Sequence, residues 1–331
     1  MKIFKPNYYD AFRCIAAACP DSCCKEWEVL VDPEAAQRYL ALPGDLGDRL
    51  RSVLRNEDGQ TLMTITEGRC PMWRTDGLCR IQAELGHDAL CKTCREFPRL
   101  THDYGDFAQL QLELSCPEAA RLILSAAPAA PIVCDAPGGE APEYDEADMQ
   151  LLLSTREAAL ALLADETYSV PEALTLLLFW GCQAQSLLDG LDVPDFSPAD
   201  ILAQARELAA AGSIRELLDF YAGLEILTEQ WQQRLLAPSP AAWTAAHRAL
   251  ARYGVERYWL QAISDFDLMG RTKLIVASCI LVNALGGDTV ATAQLYSKEI
   301  ENNADNIDAI LDGAYASPAL TDAQLLGHLW G

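Results

Sequence analysis

Nine of the twelve cysteines in this 331-residue chain fall between Cys14 and Cys116, and that crowding constrains the fold more than any other feature. Eight occupy close pairs or motif positions: Cys19-x3-Cys23-Cys24, Cys70-x8-Cys79, Cys91-x2-Cys94 and Cys116. A thiolate is a soft, charge-donating ligand, and paired thiolates reduce the entropy lost in gathering several ligands around one ion. Cysteines that act only as small hydrophobes would be scattered over apolar faces. The pattern predicts a metal centre drawing on Cys19, Cys23, Cys24, Cys70, Cys79, Cys91, Cys94 and Cys116. Four thiolates suit a tetrahedral zinc or a 4Fe–4S cluster. Eight allow two centres, or one cluster with spare thiols. The radical Cys-x3-Cys-x2-Cys signature fails at its third position, where Glu26 stands.

Pro, Gly and polar residues flank these cysteines, as in Pro20-Asp21-Ser22 and Asp76-Gly77. Such loops let backbone amides turn toward sulfur and relieve its charge. Cys182 and Cys279, set in the two most apolar runs, are expected to be packing residues. Cys14 and Cys134 stand apart, with Cys14 a weaker ligand candidate. His87, His102, His247 and His328 form no ligand-spaced pair and read as surface or packing residues.

The opening residues show no apolar signal core, so the expectation is a cytoplasmic protein with reduced thiols. The apolar runs Ala173–Cys182 and Leu274–Leu285 fall short of the ~20 residues a membrane span needs, and no membrane insertion is expected. The formal net charge of −23 lies mostly beyond Cys116. So acidic a surface repels nucleic acid and attracts a cationic partner at low salt.

The fold class expected is mainly α: a cysteine-rich metal-binding N-terminal module with short strands over 1–135, then an α-helical domain over 143–331. The Pro- and Gly-rich stretch 126–142 reads as the linker between them. Val29–Val31, 61–66 and 107–114 read as strands. Asp32 and Pro33 start a helix running to about Leu42. Asp145 or Asp148, Ser169 and Ser197 are expected N-caps. Further helices are expected over 199–211, 213–236, 241–253, 255–268, 271–285, 289–302 and 305–316, with Gly286-Gly287 as a C-cap.

The segments Tyr8-Tyr9-Asp10-Ala11-Phe12-Arg13-Cys14, Cys19-Pro20-Asp21-Ser22-Cys23-Cys24-Lys25-Glu26-Trp27, Cys91-Lys92-Thr93-Cys94-Arg95-Glu96-Phe97-Pro98-Arg99 and Ser115-Cys116-Pro117 together resemble the bacterial flagellin lysine-N-methylase family. The resemblance is dense over residues 8–117. It implies methylation of flagellin lysines, S-adenosylmethionine as methyl donor and an iron–sulfur cluster held by the eight cysteines. The same layout is similar to small bacterial zinc- or iron-chelating proteins, which keeps open a non-catalytic metal-binding interaction or redox protein.

A lysine nucleophile must be neutral, and its ordinary pKa is about 10.4, so a methylase needs an apolar wall and a base. Tyr8, Tyr9, Asp10 and Glu26 lie near the cysteine motifs. Arg95 and Arg99 are placed to balance thiolate charge or the donor's carboxylate, or to form structural ion pairs. Trp27 and Trp73 read as shields or core aromatics. No acidic residue followed by a Gly-x-Gly-x-Gly loop comes after a strand, which argues against a Rossmann donor site.

Overall fold

The computed structural model describes residues 1–195, 197–210 and 212–330, and helix predominates among them. Seven short strands form two sheets. The strands are β1 Lys2–Lys5, β2 Val29–Val31, β3 Leu54–Glu57, β4 Gln60–Met63, β5 Arg99–Asp103, β6 Phe107–Leu112 and β7 Ile132–Asp135. One sheet has the order β5-β6-β1-β7, with β1 parallel to β6 (Ile3 opposite Ala108) and antiparallel to β7. The other is the antiparallel β2-β4-β3.

The supposed linker therefore contributes an edge strand. β7 pairs Cys134 with Ile3, and the Met1 ammonium donates to the Ala136 and Gly138 carbonyls at 2.9 and 3.0 Å. The chain then passes so close to Gly105 that a Cβ on Gly139 would lie 3.0 Å from the Gly105 oxygen. Glycine at this left-handed position permits the crossing.

Two hydrophobic cores result. The smaller joins Val29, Val31, Tyr39, Leu50, Met63, Met72, Ile81 and Leu90, with Cys70 and Cys91 among them. The larger joins the helices from Met149 onward to Tyr8, Phe12, Leu112, Leu114 and the Pro117–Ser125 helix. Cys24, Cys79 and Cys94 border the smaller core, and Cys116 borders the larger.

Several caps follow from chemistry visible in the chain. Asp32 accepts Ala35 N–H at 2.9 Å above Pro33. Asp145 caps Glu146–Ala164, and Ser169 with Glu172 closes a capping box on Val170–Leu188. Ser197 precedes Pro198–Leu208, but its side chain makes no capping bond. Gly286 ends Leu268–Leu285 at φ 64°.

Other expectations are corrected. The segment 213–236 is two helices, Ile214–Ala222 and Glu229–Leu236, because Gly223 ends one and the Thr228 hydroxyl caps the next. Gly254 does not break the chain and lies inside Ala245–Tyr258. A Cβ there would come within 2.9 Å of Ile275, so the missing side chain admits a neighbouring helix. A final helix, Asp322–Trp330, went unforeseen. Cys279 is buried as expected, whereas Cys182 is exposed, since the buried stripe of its helix runs through Leu178, Gly181 and Ala184.

Leu268–Leu285 is long and apolar enough to cross a membrane by length and composition, and 89% of it is buried inside the protein. Gly181 of the neighbouring helix explains part of that close packing. An added Cβ would stand 2.3 Å from Thr272 Oγ1. Gly181→Ala should therefore cost about 2 kcal/mol in urea unfolding, as overpacked helix contacts do.

His247 is buried, with Nδ1 accepting Thr244 N–H at 3.1 Å and its ring edge-on to Trp243. Burial pushes its pKa down to about 4. The unfolded chain therefore binds a proton that the folded chain refuses, and stability falls as pH drops. From pH ~6.5 to ~4 this contribution reaches at most about 3 kcal/mol. Urea unfolding at neutral pH and near pH 4 should give a shallower loss for His247→Gln than for the native chain.

Candidate functional site

Local backbone bonds arrange the cysteine segments in pairs. Cys70 N–H donates to the Cys24 carbonyl at 2.7 Å, and Arg80 N–H donates to Met72 at 2.7 Å, which brings Cys79 alongside. Asp32 accepts Lys92 N–H at 2.6 Å with its second oxygen, and Thr93 Oγ1 donates to the Leu30 carbonyl at 2.8 Å. One aspartate thus starts the Pro33–Ala41 helix and fixes the Cys91–Cys94 turn.

The sulfurs act on one another across these segments. Cys23 donates to Cys24, which lowers the Cys24 pKa and raises that of Cys23. The Cys70 thiol, which donates to Met63 Sδ at 3.4 Å, is raised by neighbouring Cys24. Cys94 donates to Cys91, lowering Cys91, and is itself raised further by the charges of Cys24 and Cys23. Cys79 feels Cys24 and Cys91, while Cys116 feels Cys19. Burial raises Cys19 and Cys79, and pushes Cys116 up to about 11.

Backbone amides turn toward five of the sulfurs. Asp21 N–H bonds to Cys19, Met72 to Cys70, Ile81 and Gln82 to Cys79, Cys94 to Cys91, and Glu118 and Ala119 to Cys116. This lowers the energy of negative charge on sulfur. Among the described residues, no group of three or more His, Cys, Asp or Glu side chains stands in a metal-holding arrangement.

A buried cation fastens this region to the helices. After Thr289–Tyr296 the chain makes a π turn, Ser297–Glu301, where an ordinary helix was expected. Lys298 there is buried, with Nζ 2.9 Å from Asp21 Oδ2, paired also with Glu26 and 5.3 Å from the Trp27 ring centre. Burial alone would lower the lysine, yet the bonds to Glu26 and Asp21 outweigh it and raise its pKa. Gln294 adds a bond to Ser115 O at 2.8 Å. The helical part so grips both Cys19–Trp27 and the approach to Cys116.

The same π turn reaches a buried polar network that the sequence did not announce. Glu301 accepts Tyr258 OH at 2.8 Å, Tyr253 OH at 3.1 Å and the Ser297 hydroxyl, with Arg257 Nη1 at 3.6 Å. Burial raises both tyrosines well above their ordinary pKa, so they remain neutral donors. Glu113, bonded to Ser115 Oγ at 3.1 Å, faces Arg257, and burial raises its carboxyl. Dense charge in Arg252-Tyr253-Gly254-Val255-Glu256-Arg257-Tyr258 of an otherwise Ala- and Leu-rich helix was the available signal.

The residues named above as bases are already engaged. Tyr8 bonds with Glu256 and is raised by burial, Asp10 pairs with Lys5 at 2.5 Å, and Glu26 pairs with Lys298. Tyr9, half-buried, is also raised by burial. Arg99 lies 5.1 Å over the Phe12 ring, Trp27 packs against Phe97, and Trp73 stacks under Arg69 at 4.1 Å.

Lys298→Met should leave two carboxylates facing an apolar chain. Both are partly solvated, so the cost should be about 2 kcal/mol, less than for a fully buried pair. Urea unfolding followed by tryptophan fluorescence measures it, and a change within about 0.5 kcal/mol would deny the clamp its structural role.

Over an alignment of 130 residues, which covers 37% of this chain, the sequence is 33% identical to the flagellar biosynthetic protein FliU of Salmonella muenchen and covers 77% of that protein. A match of the same length and identity covers 32% of each lysine-N-methylase from Salmonella typhimurium and Salmonella choleraesuis, less than a third of their length. No family model and no solved structure matches the chain.

Proposed function

Because the chain belongs to the bacterial flagellin lysine-N-methylase family, we propose that it is a cytoplasmic enzyme transferring methyl groups to lysine ε-amines of flagellin, with S-adenosylmethionine as donor and a cysteine-ligated iron–sulfur cluster. The observation that carries this reading is the 33% identity, over 130 residues, to proteins named lysine-N-methylase. The acidic chain, at −23, favours a lysine-bearing partner.

The donor set fits a soft metal: thiols only, arranged in hydrogen-bonded pairs, with backbone amides aimed at five sulfurs. Its ligands would be drawn from Cys19, Cys23, Cys24, Cys70, Cys79, Cys91, Cys94 and Cys116. When bound, a cluster would supply electron-transfer or Lewis-acid chemistry at this seam. The protein's own residues handle charge and protons. Glu113, its carboxyl raised by burial, is the group suited to take the proton from an incoming ammonium. Arg257 and the neutral Tyr253 and Tyr258 hold Glu301 in place behind it.

Anaerobically purified full-length protein, incubated with flagellin and isotopically labelled S-adenosylmethionine, should place label on flagellin lysines by mass spectrometry. Cys24→Ser and Cys91→Ser should each lower bound metal by about tenfold, the scale on which metal sites respond to lost support. Cys279→Ala should leave metal content unchanged. Folded, metal-replete protein that transfers no label would favour a non-catalytic metal-binding or redox protein. A colourless preparation holding stoichiometric zinc would replace the cluster with zinc.

A further inference from the structure

A cavity of about 450 Å³ opens between strands β1 and β6 of the four-stranded sheet and the helix Glu146–Ala164. Its walls are set by helical spacing. Glu146, Met149, Leu153 and Arg156 recur at intervals of three or four residues and so share one face of that helix. Phe4 and Phe107, packed edge to face with centroids 5.7 Å apart, form the opposite wall.

Arg156 is the unusual member of this lining. It is partly buried and makes neither a hydrogen bond nor an ion pair with any described residue. Tyr104 and Glu256 act on it only through space. Other buried cations in the chain are matched, as Lys298 is by Asp21 and Glu26, and Arg271 by Asp265 at 2.8 Å. Lys2, which also lines the cavity, is paired with Asp135 at 2.6 Å. Burial makes the Arg156 charge costly, which its lowered pKa reflects. A guanidinium with no contacting partner beside an apolar wall is a complement for a planar anion. At the other end Tyr144 donates to Asp106 at 2.5 Å, which leaves that end polar and acidic. The helix rise puts Glu146 and Arg156 about 15 Å apart, so the space is elongated.

We propose that this cavity binds an elongated small molecule whose carboxylate is held by Arg156 and whose apolar body lies between Phe4, Phe107, Met149 and Leu153. The site goes beyond the methylation reading and does not depend on it. It lies apart from the cysteine seam and needs no metal.

Octanoate and its neutral isostere octanamide are the probes, titrated calorimetrically into the full-length protein. The native chain should bind octanoate at least about tenfold more tightly, the scale of a charge-assisted bidentate contact. Arg156→Met should bind the two probes equally, and its melting temperature should not fall, because it removes an unpaired charge. Leu153→Trp, which narrows the apolar part of the cavity and leaves the guanidinium in place, should weaken binding of both probes. Equal binding of both probes by the native chain would overturn the proposal. So would retention of the octanoate preference in folded Arg156→Met, or octanoate binding undiminished in folded Leu153→Trp.

Discussion

Lys298 joins two parts of the molecule that have separate hydrophobic cores. The segment from Val29 to Cys91 packs on itself, and the helices pack with Tyr8, Phe12 and the Leu112–Ile123 region. Between them runs the loop bearing Cys19, Cys23 and Cys24. The loop is fixed by charge: Asp21 and Glu26, five residues apart, close on one buried ammonium, and Trp27 covers it. Breaking this contact leaves two partly solvated carboxylates without their cation, so it helps set how the loop faces the helical part.

That contact depends on a helix irregularity. A π turn inserts an extra residue and rotates the chain beyond it, so Lys298, Glu299 and Glu301 all find partners in the interior. Lys298 meets the cysteine loop, Glu299 accepts Leu227 N–H at 2.8 Å, and Glu301 collects the Tyr253 and Tyr258 hydroxyls. In a regular helix these closely spaced residues would spread around the axis, and some would point to solvent. The π turn thus couples the cysteine seam to the buried tyrosine–arginine network through five consecutive residues.

How far the sequence disclosed this differs by element. Local signals transferred well: Asp32 before Pro33, Ser169 three residues before Glu172 and the glycine after Leu285 each act within one turn, so their consequences do not depend on distant packing. Gly254 misled because its role is tertiary, making room for Ile275 rather than ending a helix. β7 was hidden because its ladder partner, β1, lies about 130 residues away, and its own residues are exposed. The cysteine spacing grouped thiols along the chain, and Cys23, Cys24, Cys70, Cys91 and Cys94 do act on one another, although among the described residues no metal-holding group stands there. The spacing carried no information on Lys298, Arg257 or Glu301, since an inward-facing charge in a helix looks like a solvated one until its partner is known.

The paired thiols and the buried polar network meet opposite electrostatic demands at the same seam. Negative charge on Cys24 and Cys91 is eased by neighbouring thiols, and backbone amides face Cys19, Cys70, Cys79, Cys91 and Cys116. Glu113 has the reverse environment: burial disfavours its anion, and Arg257 only partly compensates. A carboxyl so raised holds a proton more readily than a solvated one. Bringing a substrate lysine to it would cost the ammonium its hydration, which itself pushes that lysine toward the neutral, nucleophilic form. In the methyl transfer proposed above, this low-dielectric setting would act on both proton partners in the required direction. The residues that create it, Arg257, Tyr253, Tyr258 and Glu301, come from helices that the cysteine pattern alone would never have implicated.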